Sequence, residues 1–224
     1  MDYTPFLITF KLAFCTALFL LIIAIPISYF LAFSKWKGKI IVESLLMLPI
    51  ILPPTVLGFY FLTFLGPESS VGHFFEDVLG ISFAFSFEGI LLGSIIYCTP
   101  FMITPITNGF RSLPRNLIES TYLFKKSRLN ALWYVFLPSI KQSIWNGILL
   151  TFAHTIGEFG IVLMIGGKMQ ETKVASVAIY DEMNNLNYAA ANQYAIILLS
   201  VSFVLILLLT FCNVKRCILQ SAIK

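Results

Sequence analysis

Glu119–Gly160 reads ESTYLFKKSRLNALWYVFLPSIKQSIWNGILLTFAHTIGEFG, a polar and basic stretch that runs into a long apolar one. From Leu129 the apolar residues fall at Leu129, Leu132, Trp133, Phe136, Leu137 and Ile140, steps of three and four that share one helix face. Pro138 marks a break, and an apolar run opens at Ile144. A charged amphipathic helix joined to a membrane span is a part through which a soluble partner can apply force.

The remainder of the chain supplies the membrane. Hydrophobic residues make up 58% and charged residues 12% of the 224, about half the charged share usual in soluble domains. Mean hydropathy is +0.88. Apolar stretches near Leu12–Phe33, Ile40–Leu65, Ile90–Phe110, Ile144–Ile165 and Tyr194–Phe211 each approach or exceed the roughly 20 residues that a helix needs to cross a bilayer. Backbone groups in hydrocarbon must bond within the segment, and no barrel-like alternation is present, so the spans are helices. The expected fold is all-α and integral to the membrane: about five transmembrane helices in one domain, residues 1–224, with a loop at about 111–142 outside the bilayer.

Charge orients it. The net charge of +4 is unevenly spread. Lys35, Lys37 and Lys39 lie between spans one and two; Arg111, Arg115, Lys125, Lys126, Arg128 and Lys141 between three and four; Lys215, Arg216 and Lys224 after five. These twelve of the fifteen basic residues share one side, which the positive-inside rule makes cytoplasmic. Glu68, Glu76, Asp77, Glu88, Glu171, Asp181 and Glu182 lie opposite. The N-terminus is expected outside and the C-terminus inside. Basic residues so placed serve topology, not nucleic acid. Nor is the first span a signal peptide, lacking a basic lead and being too long.

Proline sets the second and third spans apart. Pro49, Pro53 and Pro54 stand within six residues, so the second span cannot be a regular helix throughout and should face protein or a cavity. Pro53, Pro54, Thr55 and Gly58 are therefore candidates for a pathway or gate. The third span contains Pro100 and Pro105, which argues against a plain lipid-facing helix, and its Thr99, Thr104, Thr107 and Asn108 offer polar atoms, Asn108 near the cytoplasmic mouth. Phe74, Phe75, Val78 and Leu79 predict a short helix on the outer surface. Ser112 is the expected N-cap of the next helix, with Pro114 in its first turn. In that helix Leu117, Thr121 and Phe124 share a face beside Ile118 and Tyr122, leaving Glu119, Lys126 and Arg128 for solvent or a partner.

In the fourth span His154 and Glu158 lie four residues apart and thus on one helix face. A buried acid costs about 2.5–3.5 kcal/mol on insertion scales, so Glu158 should face the interior with a partner. An ionised carboxylate repels any anion, which favours a gate or packing role over anion ligation. Gly157, His154 and Glu158 complete the path candidates. Cys15, Cys98, Cys212 and Cys217 form no ligand pattern and read as small fillers. No metal site, phosphate-binding loop or hydrolase constellation is present in the pattern; Gly166-Gly167-Lys168 is the nearest fragment. The chain is expected to be no enzyme.

Four segments carry a resemblance. Glu119-Ser120-Thr121, with Leu137-Pro138 at the far end, resembles the E-A-A loop of ABC-importer permeases. Ser120 and Thr121 replace its alanines, and Lys125 stands where the pattern has glycine. The segment around Leu52-Pro53-Pro54-Thr55-Val56-Leu57-Gly58 resembles the L-P-P-T-V-L-G of molybdate permeases. Phe152–Gly160 resembles the G-E-F-G span of the molybdate and sulfate branch. Thr172–Tyr180 is similar to a further outer segment of that family, with Leu186 and Asn187 in place of its Gly-Asp turn.

The resemblance implies an ABC importer permease of type I architecture in a bacterial inner membrane. It implies two copies of the chain, two ATP-binding subunits that hold ATP and Mg, and an extracytoplasmic molybdate-binding protein docked on the outer loops. Glu119, Ser120, Thr121, Tyr122, Phe124, Lys125, Lys126 and Arg128 would meet the ATP-binding subunit. The cargo would be molybdate or tungstate, with sulfate or thiosulfate as the alternative. A self-sufficient secondary carrier or channel is the competing class; no inverted repeat and a single membrane carboxylate argue against it.

Overall fold

A computed structural model describes residues 2–123 and 128–221, all helix, turn and connecting loop. Helix α1 is Thr4–Phe33, α2 Lys39–Ile51, α3 Pro54–Leu65, α4 Ser70–Leu79 and α5 Phe87–Arg111. Then come α6 (Arg115–Leu123), α7 (Arg128–Ala131), a π-helical turn (Leu132–Phe136) and α8 (Leu137–Ser139). The chain ends with α9 (Lys141–Ile156), α10 (Gly160–Gly166), α11 (Ala175–Asn184) and α12 (Tyr188–Ser221). α1, α5 and Tyr188–Leu208 are each long and apolar enough to cross a bilayer. The pairs α2–α3 and α9–α10, bent by 112° and 61°, bring the number to five if each is one span.

Local chemistry explains the ends. Asp2 Oδ1 accepts from the Thr4 N–H at 2.9 Å, and Pro5 occupies the first turn of α1. That start is eight residues earlier than the apolar run alone implies. Ser86 caps α5 by accepting from the Gly89 N–H at 3.1 Å, and Ser69 caps α4 through Gly72 at 2.8 Å. Gly80, left-handed at φ 64°, closes α4. The short helix expected from Phe74, Phe75, Val78 and Leu79 is thus present.

At the centre α1, α5 and α9 pack together. Ala17, Leu20, Ala24 and Leu31 meet Met102, Ile103, Ile106 and Phe110, with Phe136 and Ile140 closing the cluster. Lipid tails are as apolar as these side chains, so dispersion and close approach hold such helices together. Small residues supply the approach, and Ser28 adds a hydrogen bond to the Ile103 carbonyl at 3.2 Å. α12 packs against α9 and α11 along one side and presents Leu199, Phe203, Ile206 and Phe211 outward. Exposed apolar surface on that scale suits lipid.

Both bent pairs climb α5. Glu43 of α2 pairs with Arg111 at 2.9 Å, Met47 accepts from Thr104 at 3.5 Å, and Phe61 of α3 joins a cluster with Ile90. On the other pair, a Cβ at Gly109 would lie 2.7 Å from Ser143, Thr155 meets Cys98 at 3.3 Å, and the Phe85 N–H donates to the Ile165 carbonyl at 2.8 Å. Each pair therefore runs from the Arg111 end of α5 to its Phe87 end, despite the bend.

Three expectations need correction. Ser112 is no N-cap: its N–H donates to the Asn108 carbonyl at 3.0 Å, so it closes α5, and Pro114 accepts the first bonds of α6. The single face from Leu129 to Ile140 is split, because the π turn adds a residue and rotates the phase. Leu129 and Trp133 are 68% and 60% exposed while Phe136, Leu137 and Ile140 are buried. His154 and Glu158 do not share a helix face, since α9 ends at Ile156.

Candidate translocation site

The two breaks meet. Residues before proline are driven from the helical region, and both Leu52 (ψ 135°) and Pro53 (ψ 134°) are extended. Pro54 then opens α3, where its missing N–H costs nothing. Pro49, by contrast, sits inside α2 without ending it. Across from this, Gly157, Glu158 and Phe159 separate α9 from α10. A Cβ at Gly160 would lie 2.9 Å from Pro54 Cβ, and one at Gly58 would lie 2.6 Å from Met164 Cβ. Glycine at both positions lets α10 lie directly on α3.

A cavity of about 350 Å³ opens at the junction, lined by Pro54, Tyr97, His154, Gly157, Glu158 and Phe159 among others. Glu158 is 4% exposed. Its Oε2 accepts from Ser94 Oγ at 2.9 Å, and its carbonyl accepts from Ser176 Oγ at 2.6 Å. The His154 ring stacks on Phe101 at 4.0 Å between centroids and lies 5.2 Å from Tyr97. His154 Nε2 and Glu158 Oε1 have no hydrogen-bond partner among the described residues. The junction thus gathers polar atoms at a depth where the surrounding helices are apolar.

The sequence candidates divide between places. Pro54, His154, Gly157 and Glu158 line this cavity. Thr104 and Asn108 line a smaller one of about 20 Å³ with Glu43 and Met47, toward the Arg111 end. Pro53 and Thr55 are exposed, and Gly58 is buried against α10. At that same end α6 rests on the bundle through half-buried Leu117 and Ile118, with Thr121 buried, Ser120 half-buried and Glu119 exposed. Tyr122 and Arg128 are placed only by their backbone in α6 and α7. Phe124, Lys125 and Lys126 lie outside the described residues.

Sequence reasoning missed Ser94, Tyr97 and Ser176. The available signal was the need of a buried acid for a donor on a neighbouring span. Thr99 was the more visible choice, but its hydroxyl is taken by its own helix, donating to Ile95 at 2.7 Å. Ser94 stands five residues earlier and faces the acid.

Residues 24–215 match the model of a family described as the inner membrane component of binding-protein-dependent transport systems. The chain belongs to this family. Among its relatives, the molybdenum transport system permease ModB of Azotobacter vinelandii is 34% identical over 196 residues, 87% of this chain and 86% of that one. The sulfate transport system permease CysT of Synechocystis is 27% identical over 203 residues, 90% of this chain and 71% of that one. The fold is also that of a chain in the inward-facing methionine ABC transporter MetNI, with TM-score 0.73, 14% identity, and 95% and 94% of the two chains covered. This permease is an ABC-importer transport subunit of the molybdate and sulfate branch.

Proposed function

We propose that the permease carries molybdate or tungstate into the cytoplasm by ATP-driven alternating access. Two copies would form the passage, with residues 1–224 as one transmembrane domain each. Two ATP-binding subunits would supply hydrolysis and an extracytoplasmic binding protein the cargo. The observation that carries this reading is the meeting of two broken spans around a polar cavity. Helix breaks with unspent polar groups at membrane depth are expected where a path crosses the bilayer.

The charge pattern supports the orientation. Lys35, Lys37, Lys39, Arg111, Arg115 and Lys141 belong to the end of the bundle where α1 finishes and α9 begins. That end is cytoplasmic by the positive-inside rule, which puts the N-terminus outside and the C-terminus inside. Residues 111–142, with Glu119 exposed on α6, would couple to the ATP-binding subunit. Molybdate is favoured over sulfate by the higher identity to the A. vinelandii permease. Selection among oxyanions would rest mainly with the binding protein.

Reconstitution tests this. Proteoliposomes holding the permease with its ATP-binding subunit should accumulate molybdate only when ATP and the loaded binding protein are both present. Uptake by the permease alone, without ATP, would establish a secondary carrier or channel. Uptake of sulfate in preference to molybdate would establish the other member of the branch.

A further inference from the structure

Helix α11 crosses no membrane, yet it grips both ends of α10. At the first end Ser176 Oγ donates to the Glu158 carbonyl at 2.6 Å. Tyr180, one turn along the same face of α11, packs its ring 5.2 Å from that of Phe159. At the far end Lys168, just past α10, bonds Asp181 at 2.8 Å and lies 5.5 Å from the Tyr180 ring centre. Lys173 holds the other oxygen of Asp181 at 2.5 Å. α11 is itself anchored to α1, where the Ala175 N–H donates to Thr9 Oγ1 at 2.8 Å.

A break in a span leaves backbone carbonyls that must find a donor. Here the donor for Glu158 comes from outside the membrane-spanning set. α10 in turn lies on α3 through Gly58 and Gly160. A displacement of α11 is therefore transmitted to residues 158–159, then to α10, and then to the prolines of the other broken span.

We infer that Ser176 and Tyr180 are positioning residues that carry movement of the outer helix α11 to the junction of the two breaks. A load on the outer face would reach the cavity by this route. The inference rests on the importer reading above, with α11 on the side that meets the binding protein.

The test uses the complete complex with its ATP-binding subunit, in liposomes, and molybdate-loaded binding protein. Ser176→Ala should lower the stimulation of ATP hydrolysis by the loaded binding protein roughly three- to tenfold, the factor expected from one lost hydrogen bond. The affinity of the complex for that binding protein should be unchanged, which separates a lost relay from a lost docking surface. Ser176→Thr keeps the hydroxyl and should retain stimulation. Tyr180→Phe keeps the ring and should behave as wild type, whereas Tyr180→Ala should resemble Ser176→Ala. Full stimulation in both Ser176→Ala and Tyr180→Ala overturns the relay while leaving the importer intact. No stimulation in the wild-type complex overturns the importer reading and the relay with it.

Discussion

The two broken spans break beside the same stretch of α5 for opposite reasons. α2–α3 is broken by its own backbone: two successive prolines force two extended residues, and the bend of 112° needs no neighbour to hold it. α9–α10 contains no proline at its break, and its bend of 61° is held by Ser94, Ser176 and the packing of α11. A break fixed by covalent chemistry serves as an abutment. A break held by side-chain bonds is the one that neighbours can move. If this contrast is right, substitutions at the second break should cost more than equivalent ones at the first.

The largest effect is expected where the two breaks touch. Gly160→Leu places a side chain against Pro54, a ring that cannot give way, and overpacking of this kind costs about 1–3 kcal/mol. Gly157→Ala, three residues earlier, meets nothing closer than 3.8 Å and should be tolerated. Thermal midpoints in detergent, with uptake by the reconstituted complex, compare the two. Equal stability of Gly160→Leu and wild type would mean that the breaks do not abut.

The next effect separates the breaks by what holds them. Glu158→Leu strands the Ser94 hydroxyl in the interior and should destabilise by roughly 1–3 kcal/mol, the cost of a buried group left without its partner. Glu158→Gln keeps an acceptor for Ser94 and should lie much closer to wild type. At the first break Pro53→Ala leaves Pro54 in place and the bend unchanged, and should shift stability by less than about 1 kcal/mol. If Pro53→Ala proved as damaging as Glu158→Leu, the two breaks would be of one kind.

That contrast also sets what could be read in advance. Prolines announce themselves, so the first break was legible, as was a count of five spans if each bent pair is one. The need of Glu158 for a partner was legible too, from the cost of an acid in hydrocarbon. Which residue answers it was not, because Ser94 is 64 residues away in the chain and nothing in its local pattern marks it. The π turn at Leu132–Phe136 was hidden for a related reason. A periodicity of three and four describes an unbroken helix, and one inserted residue carries Leu129 and Trp133 to the opposite side from Phe136. The turn at Leu186-Asn187 shows the limit of motif reading: Leu186 adopts φ 58° where the related pattern has glycine, and Asn187 steadies it by donating to Glu182 at 2.9 Å.

The smallest effect sharpens the comparison from the outside. Asp181 clamps α11 to the end of α10, and hydrogen bonds from Lys168 and Lys173 hold its carboxyl below the usual carboxylate range. A group whose folded pKa is depressed stabilises the fold fully above its unfolded value, near 3.9 for Asp. That contribution is lost as pH falls through the lower folded value. Asp181→Asn should therefore lower the thermal midpoint at pH 7 by the equivalent of about 1 kcal/mol or less, since the lysines are partly in solvent. The gap from wild type should narrow as pH falls below the unfolded value and close only below the lowered folded one, where both chains lack the charge. Because the clamp bears on α10 directly and reaches α3 only through the contacts of Gly58 and Gly160, the loosening should be larger at the second break than at the first. Labels at Phe159 should gain more mobility than labels at Thr55; equal changes at both would show the two breaks to be one mechanical unit.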